Sequence, residues 1–214
     1  MEENKNIEKK RFVLSLVFPL ILILLIWLAW FVENTLHLNF AVYGIFPRKL
    51  SGLKGILFAP FIHAGFKHLF DNTIPLLTLL TAIFYFYRDL AFRILLLTWF
   101  MVGLWVWVAG REAYHIGASG LVYGFASFLF FSGIFRKHIP LLAISMLVVF
   151  LYGSMVWGLF PIVPEISYES HMLGAIAGVM LAFHYRKFGP QRPVFTWEEE
   201  EEEDPGEESN RELQ

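Results

Sequence analysis

HIGASGLVYG, residues 115–124, sets one serine among three glycines at the head of an apolar run that continues as FASFLFFSGIF to residue 135. In a water-soluble chain Gly-x-Ser-Gly marks a turn. Here the apolar residues from 118 to 135 make a helix of roughly 27 Å, close to the thickness of the hydrocarbon core of a bilayer. The stretch therefore reads as the mouth of a transmembrane helix. The rest of the chain agrees, with 57% hydrophobic and 18% aromatic residues and a mean hydropathy of +0.55. Soluble domains sit lower and seldom carry several uninterrupted apolar runs near twenty residues.

Outward from that helix, six spans fit the hydropathy: 12–32, 68–87, 91–109, 118–135, 139–159 and 171–187. Arg88-Asp89, Arg136-Lys137-His138 and the Pro161/Pro164 pair mark the breaks between later spans. Pro75 lies inside the second span, where neighbouring groups can re-satisfy the backbone. The run at 12–32 follows Lys9, Lys10 and Arg11 but is too long for a signal-peptide core and lacks a small-residue cleavage site, so it reads as the first span. With the N-terminus in the cytoplasm, twelve of the 17 Lys and Arg fall on the inner side, which favours both termini inside. The expected fold is an all-α, six-helix membrane bundle over 12–187, with a cytoplasmic N-terminus at 1–11.

The net charge of −2 conceals two unlike regions. Residues 198–212 hold ten of the 19 acidic residues, and the segment 188–214 reads as an acidic, disordered cytoplasmic tail. The remainder is basic. No cysteine is present, which excludes disulfides, thiolate metal sites and cysteine nucleophiles. The long loop at 33–67 is not a solvated linker: GLKGILFAPFIHAGF (52–66) is largely apolar and belongs in the interface or against the bundle.

Polar side chains within spans point to function. Three clusters remain once loops are set aside: HAGFKHLFDN (63–72), GASGLVYG (117–124) and HMLGAIAG (171–178). The second, fourth and sixth spans run the same way and each carries its cluster in its first turns, so His68, Asn72, Ser119 and His171 fall at one depth. At 100° per residue His68 and Asn72 share a face, as do Ser119 and Tyr123, and His171, Gly174 and Gly178 form one stripe. Gly120/Gly124 and Gly174/Gly178 are small-xxx-small pairs that let two helix backbones close up. A serine hydroxyl and an imidazole on different helices need such closeness to meet at about 3 Å. Asp71 lies about 100° round from Asn72 and makes a poor third member. His63 reads as a structural or interfacial loop residue, and His37, His115, His138 and His184 lie near span edges with weak claims. Trp99, Trp105 and Trp107 read as core or interfacial anchors.

The three clusters, in that order on spans two, four and six, resemble the rhomboid family of intramembrane serine proteases over about residues 40–187. The resemblance implies a Ser119 nucleophile and a His171 general base, a dyad with no acid partner. It implies an oxyanion hole of His68, Asn72 and the Ser119 backbone N–H. Gly117 and Gly120 would give the serine its close approach, Tyr123 would stack on His171, and Gly174 and Gly178 would bring the sixth helix onto the fourth. Many rhomboids carry Trp-Arg in the first outer loop, where this chain has Lys54-Gly55. The implied activity is cleavage of transmembrane segments of other membrane proteins near the outer boundary of a bacterial plasma membrane. Substrates would enter beside the fifth span, with membrane lipid as the surrounding partner. Neither cofactor, metal nor nucleic acid is implied, and the oligomeric state is left open. Two rivals are a catalytically silent rhomboid-like binding protein, which typically loses the serine or the histidine, and a small transporter using His63, His68 and His171.

Overall fold

A computed structural model describes residues 2–151, 157–162 and 167–190. Its six longer helices are α1 (Glu2–Thr35), α2 (Phe66–Phe86), α3 (Ala91–Ala109), α4 (Ser119–Arg136), α5 (Ile139–Leu151) and α6 (Tyr168–His184). No β-strand occurs among the described residues. Helices α1 to α4 are each long and apolar enough to cross a membrane. The described parts of α5 and α6 span 13 and 17 residues. Residues 152–156 of the fifth expected span, and 191–214 of the expected tail, lie outside the described residues.

The helix α4 is the axis of the bundle. About two thirds (67%) of its apolar window is buried, against 22% for α1, which lies on the outside. Phe125, Phe128 and Leu129 of α4 meet Leu69, Leu79 and Ile83 of α2 and Ile94 of α3 in one core. Between membrane helices there is no hydrophobic driving force, so shape and polar contacts hold the helices together. The contact of α1 with α2 shows both. Phe18 stacks on Phe84 at 5.2 Å, and the Trp27 indole donates to Thr73 Oγ1 at 3.1 Å. Such an interhelical bond contributes roughly 0.6 kcal/mol.

Several element boundaries differ from the hydropathy reading. The helix α1 starts ten residues before 12 and, with 34 residues, reaches about 51 Å. Its first three turns are polar and invisible to hydropathy. The helix α6 begins at Tyr168 because the Ser167 side chain caps it, accepting from Ser170 N, and it ends at His184 where 187 was expected. Arg136 was expected in a loop and is instead the buried last residue of α4. It donates to the Tyr87 hydroxyl at 2.9 Å and to the Tyr185 and Phe188 carbonyls. The turn is made by Lys137, whose φ of 52° closes the helix with its N–H on Gly133 and Ile134 carbonyls.

The 36–65 segment, within the loop expected at 33–67, packs against the bundle. It contains three short 3-10 turns and the one-turn helix Gly55–Phe58. The indoles of Trp99 and Trp107 donate to Ile56 O at 2.7 Å and Lys49 O at 2.9 Å, fastening the segment along α3. Its other side presents Leu50, Leu53, Leu57 and Phe58 outward. A backbone pair between Ile45 and His115, at 3.0 and 2.8 Å, then ties it to the loop that leads into α4.

Candidate active site

Ser119 is the first residue of α4, and Gly117 shapes the approach to it. Gly117 has φ +104°, which L side chains rarely adopt, and a Cβ there would lie 2.7 Å from the His68 ring. Glycine therefore does two jobs: it permits the turn, and it lets the imidazole of α2 lie close against the serine loop. The loop is held by Gly117 N donating to Ala59 O at 2.8 Å and Ala118 N to His63 Nε2 at 3.4 Å. The amides of a helix's first turn have no carbonyl one turn earlier to donate to, and they carry the positive end of the helix dipole. At Ser119 that end faces the site.

His171 comes to this place on the first turn of α6. The two helices touch almost backbone to backbone: a Cβ on Gly174 would lie 2.2 Å from Gly120 O, and one on Gly178 2.1 Å from Gly124 O. At that separation Ser119 Oγ and His171 Nε2 are 2.7 Å apart. The other ring nitrogen, Nδ1, is 2.8 Å from the Gly158 carbonyl. A carbonyl only accepts, so Nδ1 carries the hydrogen and Nε2 is left as a lone pair toward the serine O–H. Tyr123 stacks on the imidazole, with ring centroids 4.2 Å apart and an angle of 11° between planes. The ring is thus held on its edge by Gly158 and on its face by Tyr123.

Two further expected residues lie on α2 beside the serine loop. His68 lies over Gly117, and Asn72 is buried with one amide N–H on His68 O at 2.8 Å, leaving its second N–H. Asp71 turns away and pairs with Lys67 at 2.6 Å. No three His, Asp or Glu side chains converge as a metal site requires among the described residues.

One residue beside the pair was given only a structural or interfacial place by the sequence, and another escaped it. His63 is indeed structural: it is buried, packs edge-on to His68 at 5.0 Å and accepts from the Ala118 amide. Burial, aided by His68, holds its pKa down at about 3, so its ring is neutral and able to accept. Gly158 acts through its carbonyl, which no side-chain pattern announces. Its one trace is size, since a Cβ there would fall 2.3 Å from the Tyr123 hydroxyl and 2.9 Å from His171 Nδ1.

Comparison with known proteins gives one family. The family model described as Rhomboid domain matches residues 51–188. An uncharacterized protein of Mycobacterium tuberculosis is 33% identical over 194 residues, covering 84% of this chain and 79% of its own length. A Mycobacterium bovis protein matches equally, and an uncharacterized protein of Mycobacterium leprae is 30% identical over 191 residues, 85% of this chain and 75% of its own.

Proposed function

The chain belongs to the rhomboid family of integral membrane proteins, generally intramembrane serine proteases, and from this membership we propose that it is a serine endopeptidase cutting transmembrane segments of other membrane proteins. The observation that carries the reading is the Ser119–His171 hydrogen bond of 2.7 Å with the histidine tautomer fixed by Gly158. Serine is a weak nucleophile until a base takes its proton, and a neutral imidazole does so near neutral pH.

In the proposed reaction Ser119 Oγ attacks the scissile carbonyl as its proton passes to His171 Nε2. The Gly158 carbonyl then faces an imidazolium and stabilises it through the Nδ1–H bond, the orienting task a carboxylate performs in a triad. The oxygen of the tetrahedral intermediate takes up negative charge, and the Ser119 N–H, the free Asn72 N–H and the His68 ring N–H are the donors suited to it. Collapse passes the proton from His171 to the departing amine and leaves an acyl ester on Ser119, which water cleaves by the same steps. The substrate helix has to unwind locally, because its carbonyls are otherwise held in its own hydrogen bonds.

The proposed topology has six spans, both termini in the cytoplasm and the site toward the outer face of a bacterial plasma membrane. Residues 1–11 and 188–214 flank the membrane domain at 12–187, and substrates enter beside α5. A fluorophosphonate probe tests the dyad: the purified protein in detergent is expected to label, and Ser119→Ala and His171→Ala are expected to abolish labelling. A folded wild type that does not label overturns the assignment.

A further inference from the structure

Four residues before Ser119 stands His115, and four before His171 stands Ser167. The two contacts are separated by the same length of chain. Ser119 and His171 lie 52 residues apart and meet at 2.7 Å; His115 and Ser167 also lie 52 apart and meet at 2.6 Å, between Nδ1 and Oγ. One ladder of two rungs therefore joins the α4 approach to the start of α6, with the residue types exchanged between rungs.

The proton positions of the second rung follow from its surroundings. His115 Nε2 is 3.0 Å from the Arg111 carbonyl, so Nε2 carries the hydrogen and Nδ1 accepts the Ser167 O–H. Burial keeps His115 below its ordinary pKa, which maintains that neutral form. Ser170 Oγ then donates to Ser167 Oγ at 2.7 Å. The His115 backbone is fixed on Ile45, so one end of the rung is rigid. A parallel tie runs beside it: Glu169, buried on the first turn of α6, accepts from Arg111 N at 3.3 Å and lies 3.7 Å from Arg111 Nε.

The glycine contact of α4 with α6 sets how near the helices lie, and the His115–Ser167 rung adds a directional bond across the same seam. One residue of slip moves a helix by about 1.5 Å along its axis, enough to part a hydrogen bond. We infer that His115 and Ser167 are positioning residues whose hydrogen bond fixes the axial register of α6 and so keeps His171 Nε2 on Ser119 Oγ. The inference rests on the serine-protease reading of that pair.

The test separates register from mere folding. In the full chain, Ser167→Gly keeps an acceptable helix cap and removes the rung; Ser167→Thr restores the hydroxyl; His115→Ala removes the other end. Fluorophosphonate labelling rates, kcat and KM on a transmembrane substrate, and thermal unfolding are measured for each. For Ser167→Gly the expected result is a labelling rate and kcat reduced by about tenfold or more with KM within about twofold. Ser167→Thr is expected to stay near wild type, and the double variant to be no slower than the slower single one. A folded Ser167→Gly protein that labels at the wild-type rate overturns the inference while leaving the dyad intact. So does a loss that follows only KM or the folded fraction. A wild type that does not label overturns both.

Discussion

The oxyanion donors are the residues on which the proposed chemistry is most exposed to test. Asn72 is buried and spends one N–H on His68 O, and its second N–H is the one proposed to serve the oxyanion. Removing one oxyanion donor costs about 10²–10³ in rate. Asn72→Ala and His68→Ala are therefore each expected to slow substrate cleavage by about that factor with thermal unfolding little changed. Wild-type rates in both would put the oxyanion elsewhere. His63 makes a different prediction. Its folded pKa is near 3 against 6.5 when exposed, so the unfolded chain binds the proton first and stability falls as pH drops below 6.5 toward 3. Unfolding temperatures measured from pH 7 to 4 should decline for wild type and decline less steeply for His63→Gln; identical slopes would contradict the role given to His63. The meeting of Ser119 with His171 was legible in the sequence because polar side chains inside apolar runs stand out. His63 was legible as a structural loop residue, but its partners were not, because a loop carries no periodicity, and Gly158 was hidden because a carbonyl belongs to every residue.

At the level of the helix, the glycine contact of α4 with α6 brings Ser119 and His171 within hydrogen-bond reach. A Cβ on Gly174 would sit 2.2 Å from Gly120 O, a backbone atom that cannot swing aside. The helices would have to part by roughly 1 Å to restore ordinary contact. Gly174→Ala is thus expected to lower the fluorophosphonate labelling rate by about tenfold to a hundredfold and to destabilise the fold by about 1–3 kcal/mol. Gly65→Ala provides the control, since a Cβ there meets nothing within 4 Å. Equal labelling by both variants would show that the distance between α4 and α6 does not limit the reaction. The small-xxx-small spacing made this contact legible in the sequence, and the apolar runs made α2, α3 and α4 legible within two residues. The polar first turns of α1 and the Ser167 cap of α6 were not, because hydropathy reports lipid contact and says nothing of where hydrogen bonding begins or ends a helix.

Across the whole molecule, the distribution of Lys and Arg bears on the proposed orientation, which the fold alone leaves open. One end of the bundle gathers Lys10, Arg11 and Arg88 around a groove that also includes Asp89, Gly189 and Pro190. Arg11 meets Glu8 at 3.8 Å, so the cations there still outnumber the nearby acids. The end bearing Ser119 holds five, Arg48, Lys49, Lys54, Lys67 and Arg111, against the twelve that the sequence assigns to the other side. Lysine and arginine near the ends of spans resist crossing the membrane, which supports the proposed orientation, with the Lys10–Arg11–Arg88 end in the cytoplasm and the serine end outside. The absence of cysteine from the chain makes this directly measurable, because any thiol introduced is the only one. Lys5→Cys and Lys187→Cys place a thiol at an exposed position at one end, and Glu112→Cys does so at the other. On intact cells a membrane-impermeant maleimide is expected to label Glu112→Cys alone, and to reach the other two only after permeabilisation. The reverse pattern would invert the bundle. The same Ser119–His171 pair would then cut its substrates at the cytoplasmic boundary, and water for the hydrolytic step would have to enter from that side.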